Sequence, residues 1–202
     1  VLALASVDAS LHVAETMRRN YWGDGGFHRI GQYAIPAVVV TGRSISVRYV
    51  NVLDHMGGEI SKTLELLKEA KKTTWLLGGR EVRKDTLVIS DSRTNTSAYL
   101  PLIDSRNRVG TYIKYLRKMW GMMIGGELSG NAPSDYIATF GDVTEKLLDE
   151  EALVKIYEYT LSRNLKKAAA WKYADVAAEA KKEGRTPLGD EIMKALAILR
   201  RY

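Results

Sequence analysis

The stretch PAVVVTGRSISVRYVNV, residues 36–52, decides how the first half of the sequence is interpreted. Two runs rich in β-branched residues, 37–40 and 45–52, flank a short polar segment that contains Gly42. This pattern predicts a β-hairpin, because β-branched side chains favour strands and glycine favours tight turns. Arg48 lies in the second run among alternating apolar residues, which predicts that its side chain projects from a strand face or a sheet edge.

The segments around this hairpin indicate a mixed α and β core. Residues 12–32 are rich in glycine and aromatic residues, which predicts an exposed loop. Residues 57–72 have apolar residues at helical spacing and end on lysines, which predicts a helix. Residues 75–90 predict a strand, a turn at Gly78 and Gly79, and a second strand, and residues 98–104 predict another short strand.

The remainder of the chain is predicted to be helical. Apolar spacing after Arg108 predicts a helix that runs into a turn-rich break. Asp142, with Glu145 three residues later, is typical of a capping box that opens a helix ending near Arg163. A second helix to about Glu183 and a third that starts at Thr186 and Pro187 follow. The predicted organisation is an α/β core with hairpins over 1–125, a turn-rich connector over 126–141 and a three-helix region over 142–202.

The composition excludes several classes of site. With 202 residues, 46% hydrophobic and 27% charged, the sequence is typical of a globular protein. It contains no Cys, which excludes disulfides, thiolate metal sites and a cysteine nucleophile. His12, His28 and His55 are too scattered for a histidine-rich metal site. No apolar run approaches the roughly 20 residues of a membrane-spanning helix. We therefore expect no metal, no cofactor, no membrane association and a cytoplasmic location.

The formal net charge of +6 is concentrated in one segment. Residues 71–120 carry eleven Lys and Arg residues against four Asp and Glu residues, while the flanking regions are close to neutral. Such a segregated excess is what a phosphate-binding surface needs, since each neutralised phosphate releases counterions. A solvated basic face on a soluble protein is the alternative explanation.

The basic residues are interleaved with aromatic ones, among them Trp75, Tyr99 and Tyr115. Cationic groups bind phosphates and aromatic faces stack on unpaired bases, so single-stranded RNA is the favoured partner and DNA the second option. No catalytic constellation is found, so the protein is predicted not to be an enzyme. The predicted nucleic-acid-binding residues are Arg18, Arg19, His28, Arg29, Arg48, Arg80, Arg83, Lys84, Arg106, Arg108, Lys114, Arg117 and Lys118.

The order of these segments resembles a known family. SVDASLHVAET, the later HR, the hairpin PAVVVTGRSISVRYVNV and the following GGE resemble the guide-RNA-binding backbone subunit of archaeal type I CRISPR Cascade complexes, in the RAMP superfamily. WLLGGREVRKDTLVIS, followed by AYLPLID, is similar to that family's glycine-and-arginine hairpin ahead of a strand. RVGTYIKYLRKMWGMMIGG is similar to its late helix, which runs into a glycine-rich turn. The resemblance covers about half of the chain, and the helical region after Gly141 has no counterpart in it.

The resemblance has implications for fold and function. It implies an α+β fold with a ferredoxin-like or RRM-like sheet core, to which this chain adds the all-helical C-terminal region. It implies a homo-oligomer that assembles helically along a guide RNA, without catalysis by this subunit. The RNA-backbone contacts that it implies are Arg29, Arg48, Arg80, Arg83 and Arg108.

Other classes of function stay open. A capsid or nucleoprotein subunit of a filamentous or helical virus would also coat genomic nucleic acid without reading its sequence, and would be located in the virion. A carboxylate–metal nuclease would use Asp85, Asp91 or Asp104. A protein-binding module is a further alternative.

Overall fold

The chain divides into two structural units. The computed structural model of the protein describes residues 7–22, 44–49, 56–77, 79–144, 150–166 and 187–201. The first unit is Val1–Ile113 and the second is Lys114–Tyr202. The described part of the first unit contains helices and strands, and that of the second is almost entirely helical. The predicted α+β class with a helical C-terminal region is therefore confirmed.

The first unit is built around two small sheets. Its elements are α1 (Val7–Trp22), β1 (Ile45–Tyr49), α2 (Met56–Lys72), β2 (Thr74–Leu77), β3 (Arg80–Arg83), β4 (Thr86–Asp91) and β5 (Ser97–Pro101). The strands of the main sheet lie in the order β1-β4-β5, and β2 pairs with β3 separately. The helix predicted over 57–72 and the strand predicted over 98–104 are confirmed, with small shifts of their ends.

The main sheet is mixed. β1 pairs with β4 in parallel, with Ile45 opposite Leu87, and β4 pairs with β5 in antiparallel, with Leu87 opposite Leu100. A parallel pair needs a long crossover, which α2 and the β2–β3 hairpin supply. Leu66 and Ala70 of α2 pack against Val88 of β4. The hairpin partner predicted for β1 at residues 37–40 lies outside the described residues, and the finer ferredoxin-like assignment stays a prediction.

β4 is the centre of this unit. Each of its six residues is buried, as is typical of a strand that is covered on both faces. The faces of β4 are therefore not open to an RRM-like mode of RNA binding, in which bases stack on an exposed sheet face.

The β2–β3 hairpin has one packed and one exposed face. Leu77 and Val82 pack with Ile103 and Val109 of the loop that follows β5. The predicted strand–turn–strand over 75–90 is in fact three strands, because the chain turns again at Lys84 after the turn at Gly79. Lys84 has a φ of 66° there, and its backbone N–H donates to the Thr73 carbonyl at 3.2 Å.

Helix α1 corrects the loop predicted over 12–32. Its buried residues Leu11, Ala14 and Glu15 follow helical spacing. The aromatic and glycine residues that indicated a loop begin only at Tyr21, where the helix is about to end. Residues 23–32 lie outside the described part of the chain.

The second unit is a set of helices. α3 (Thr111–Ile124) begins in the first unit and continues into the second, where α4 (Ala132–Thr144), α5 (Glu150–Asn164) and α6 (Pro187–Leu199) follow. The Tyr115 and Tyr157 hydroxyls are hydrogen-bonded at 2.9 Å between α3 and α5. No helix among the described residues is long and apolar enough to cross a membrane.

Two expectations for the C-terminal region are wrong. The connector predicted over 126–141 ends early, because α4 already begins at Ala132, and Pro133 is tolerated in a first turn. Asp142 lies within α4 and opens no helix; the next helix begins at Glu150. The helix predicted to start at Pro187 is confirmed. The helix predicted to reach Glu183 lies outside the described residues.

Candidate nucleic-acid interface

A buried carboxylate organises the loop between β5 and α3. Asp104 is fully buried, and its Oδ1 accepts hydrogen bonds from the backbone N–H groups of Arg106, at 2.8 Å, and Arg108, at 2.9 Å. Its Oδ2 accepts from the Arg108 guanidinium at 2.6 Å and from the Thr111 hydroxyl at 2.8 Å. Asp104 therefore fixes the backbone of the loop while Arg106, Asn107 and Arg108 stay exposed.

Two opposing effects act on the pKa of Asp104. Burial raises the pKa, because a desolvated carboxylate is destabilised. The hydrogen bonds from the Arg108 backbone, the Thr111 hydroxyl, the Arg108 guanidinium and the Arg106 backbone stabilise the ionised form. Together these bonds outweigh burial and hold the pKa below its usual value. Asp104 is therefore ionised at neutral pH and holds the loop with a full negative charge.

The β2–β3 hairpin is joined to this loop. The Arg80 guanidinium donates a hydrogen bond to the Asn107 side-chain oxygen. At the other end of β3, the Leu102 backbone N–H donates to the Asp85 carbonyl at 2.8 Å. Five predicted binding residues thus lie on two elements that are joined beside the β4–β5 pair, the hairpin and the loop after β5. We call this the sheet-end surface; its residues are Arg80, Arg83, Lys84, Arg106 and Arg108, all of which are exposed.

The cations of the sheet-end surface differ in how they are neutralised. Arg83 forms an ion pair with Glu81, two residues away on the same strand face, and Arg108 pairs with Asp104. The Arg83–Glu81 pair is solvated on both sides, so it is weak and can exchange for a phosphate. Arg80, Lys84 and Arg106 have no ion pair within the described part of the chain.

Helix α3 carries a separate basic face. Lys114, Arg117 and Lys118 are exposed and lie within one turn of each other. The sequence of α3 contains no acidic residue, so this face has no counter-charge on its own helix. Ile113 and Leu116 on the same helix are fully buried, which fixes the rotation of the helix.

Arg48 does not join either surface. Its side chain is only 4% exposed, its Nε donates to Glu59 at the start of α2, and its Nη1 lies 3.4 Å from the Ser90 hydroxyl. A strand pattern places a side chain on a face but does not say whether a helix covers that face, and here α2 does. This environment favours a structural role for Arg48 over the predicted contact with RNA.

Among the predicted N-terminal binding residues, Arg19 is the one whose side chain the structure describes. Arg19 forms an ion pair with Glu15 at 2.7 Å and lies 3.5 Å from the Val109 carbonyl, so it supports the Asp104 loop. Arg18 belongs to the same helix, α1. His28 and Arg29 lie outside the described residues.

The sequence analysis missed a pair of matching turns. Asp91-Ser92-Arg93 and Asp104-Ser105-Arg106 repeat the same tripeptide at the two ends of β5. Like Asp104, Asp91 is fully buried and accepts from the backbone N–H two residues later, that of Arg93, at 3.0 Å. In both turns the arginine stays exposed. The signal was present, since an aspartate side chain in a polar segment commonly accepts from the backbone N–H two residues later, in an Asx-turn.

The carboxylates considered for a nuclease are buried. Asp85 is 4% exposed, and Asp91 and Asp104 are fully buried. Asp91 also accepts from the Thr94 hydroxyl at 2.7 Å. The Asp91 and Asp104 carboxylates are therefore both hydrogen-bonded within their own turns. Over the described ranges, no three His, Asp or Glu side chains are grouped closely enough to hold a metal ion.

Comparison with known proteins gives a likeness of fold. No protein-family model and no curated protein matches the sequence. A chain of a type III-B Cmr-beta structure in the apo state matches with a TM-score of 0.60 and 17% identity, over 78% of this chain and 17% of that chain. A chain of a type III-B Cmr-beta bound to cognate target RNA matches with a TM-score of 0.60 and 16% identity, over 78% and 18%. The protein thus shares the fold of a segment that makes up less than a fifth of each of those chains.

Proposed function

We propose that this chain is a nucleic-acid-binding module of a CRISPR effector complex, and that it binds the backbone of single-stranded RNA. The fold likeness to type III-B Cmr-beta chains supports the class of complex, and one of those structures holds target RNA. The sequence resemblance to the backbone subunit of type I Cascade supports the same class. We propose further that the chain is a guide-RNA-binding backbone subunit of the type I kind.

The observation that carries the proposal is the sheet-end surface. Arg80, Arg83 and Lys84 come from a hairpin, and Arg106 and Arg108 from a loop that a buried carboxylate holds. Arginine side chains held by a fixed backbone can bind phosphates with little loss of conformational entropy. Asp104 holds its loop without a ligand, so Arg106 and Arg108 are presented on a backbone that is already ordered.

We also propose how the protein assembles and that it has no catalytic role. Following the family resemblance, several copies would line one RNA in a helical homo-oligomer in the cytoplasm, and this chain would not catalyse cleavage. The fold likeness gives us reason to prefer this function over a viral coat protein. Divalent-dependent cleavage of a generic oligonucleotide, lost when Asp85 or Asp91 is changed to Ala, would contradict the absence of catalysis.

The decisive experiment is to sequence the nucleic acid that co-purifies with the full chain. We expect short RNA, removed by ribonuclease and not by deoxyribonuclease. A variant in which Arg80, Arg83 and Lys84 are changed to Glu should purify without it. Protected DNA, or filaments that form without RNA, would contradict the proposal in favour of the viral coat protein.

A further inference from the structure

A row of aromatic rings leads from the interior of the second unit to its surface. Tyr157 and Tyr136 are buried, with ring centroids 6.2 Å apart at an interplanar angle of 80°. Tyr136 lies 6.0 Å from Phe140, and Phe140 lies 6.4 Å from Tyr159 at 89°. Edge-to-face contacts of this kind stabilise aromatic pairs beyond simple burial, so each ring helps to orient the next.

The inner end of this row is anchored. The Tyr136 hydroxyl donates to the Asp190 carboxylate at 2.5 Å and so joins α4 to α6. Burial, together with the hydrogen bond to Asp190 and its negative charge, raises the pKa of Tyr136, so the hydroxyl keeps its proton. Thr160 of α5 is also buried, and its hydroxyl donates to the Ile156 carbonyl at 3.0 Å. The rings of Phe140 and Tyr159 therefore pack next to side chains that are buried and held by hydrogen bonds.

The outer end of the row is open. Tyr159 is 56% exposed, although a large aromatic residue is normally more deeply buried. Ile137, one turn before Phe140 on α4, is 41% exposed. Phe140 is half-buried, and its ring lies perpendicular to that of Tyr159, which keeps most of its surface in solvent. Tyr159 is thus both exposed and oriented.

Basic residues lie on both sides of Tyr159. Lys155 and Arg163, four residues before and after it on α5, are exposed. Residues four apart lie on one face of a helix, so the three side chains form a ridge in which each cationic residue is about 6 Å from Tyr159 along the helix axis. Glu158 is half-buried and lies about 100° round the helix from Tyr159.

We propose that Tyr159, supported by Phe140 and flanked by Lys155 and Arg163, is a stacking site for an unpaired nucleobase of single-stranded nucleic acid. This inference rests on the proposed function and adds a second contact surface, in the helical unit. An aromatic face between cations is the arrangement with which single-strand-binding proteins hold a base and its neighbouring phosphates. A protein partner with an apolar surface would not need the flanking cations.

The test compares two labelled probes, a twelve-residue oligouridylate and an abasic backbone of the same length, on the full chain at fixed salt. The wild-type protein should bind oligouridylate more tightly than the abasic probe. Tyr159→Leu should weaken oligouridylate binding about tenfold and leave abasic binding unchanged, since only the stacked base is lost. Tyr159→Phe should retain the preference, because its ring also stacks.

The matched control is Leu64→Ala, which alters another large, exposed apolar side chain, in the first unit, and should change neither affinity. Far-ultraviolet circular dichroism and thermal unfolding should show that Tyr159→Leu is folded. Wild-type binding to oligouridylate with no change in Tyr159→Leu would overturn the stacking site while the proposed function stands. Failure of the wild-type protein to bind either probe would overturn both. Loss of a co-purifying protein in Tyr159→Leu, at unchanged oligouridylate affinity, would make the surface a protein interface.

Discussion

The Asp104 carboxylate, which is fully buried, accepts a hydrogen bond at 2.6 Å from the guanidinium of Arg108, whose side chain is 56% exposed. This pair therefore reaches from the interior of the first unit to its surface. Because Asp104 also holds the Arg106 and Arg108 backbone N–H groups, one carboxylate sets both the loop conformation and the position of a surface cation.

We expect Asp104→Ala to reduce the free energy of unfolding by about 2 to 4 kcal/mol, because it removes a buried acceptor of four hydrogen bonds and leaves partly buried donors unpaired. Urea unfolding, followed by circular dichroism, measures this loss. The matched control is Asp135→Ala, which removes an exposed carboxylate from the first turn of α4. It should cost less than about 1 kcal/mol. Equal losses in the two variants would contradict the organising role of Asp104.

The stability of the protein should depend on pH through Asp104. The folded-state pKa lies below the ordinary value of 3.8, so the stabilisation is complete above the unfolded-state pKa and is lost as the pH falls through the folded-state pKa. The free energy of unfolding should therefore fall more steeply below about pH 4 in the wild-type protein than in Asp104→Asn. Urea titrations at a series of pH values measure the two slopes, and parallel slopes would show that Asp104 does not contribute.

Gly110 and Gly121 should respond in opposite ways to substitution by alanine. Gly110 has a φ of 80°, and a Cβ added there would lie 2.7 Å from the Glu15 carboxyl group. We expect Gly110→Ala to cost at least about 2 kcal/mol, from backbone strain and the displaced Glu15. Gly121 lies in α3 with nothing within 4 Å of an added Cβ. Gly121→Ala should stabilise the protein by about 0.5 to 1 kcal/mol. Thermal unfolding of both variants tests the pair.

Charge reversal at the hairpin should change the salt dependence of RNA binding. If Arg80, Arg83 and Lys84 each neutralise a phosphate, changing them to Glu should lower the affinity and flatten the slope of log affinity against log salt by about 2. Fluorescence anisotropy with a labelled oligonucleotide measures the slope. The control reverses three lysines of α2, at positions 62, 68 and 71, which gives the same net charge. A slope that changes equally in both variants would mean that net charge, and not the sheet-end surface, determines binding.

Arg48 should matter for stability and not for binding. Arg48→Ala leaves Glu59 without its partner in a partly buried site, so we expect a loss of about 3 kcal/mol. The salt slope of RNA binding should stay at the wild-type value under conditions where the variant is folded. A flattened slope with unchanged stability would return Arg48 to the binding surface.

The sequence predicted those helices whose evidence lies in short stretches of neighbouring residues. The helices α2 and α6 followed from apolar spacing and from a proline at a first turn, and the sequence of α3 gave its basic face. The start of α4 was not predicted, because a glycine-rich segment resembles a connector whether or not a helix begins inside it. Parallel pairing of β1 with β4 could not be predicted either, since it joins residues about forty positions apart.

The residues of the candidate binding surface were predicted from composition, but their arrangement was not. Charge counting selected the segment that supplies Arg80 and Arg106, but the contacts that join them depend on Asn107 and on the packing of the hairpin. The burial of Arg48 beneath α2 could not be predicted either, because it is a tertiary property. The exposed ring of Tyr159 was missed, since helical spacing alone does not distinguish a buried tyrosine from an exposed one.

In the matching turns at Asp91 and Asp104, one residue holds the backbone and another is exposed. In each turn the buried aspartate fixes the backbone, while the arginine two residues later, Arg93 or Arg106, projects into solvent. Substitution of an exposed residue away from special backbone sites usually changes stability by less than about 0.5 kcal/mol. The residue at either arginine position can therefore be exchanged at little cost in stability, while the buried aspartate keeps the shape of the turn.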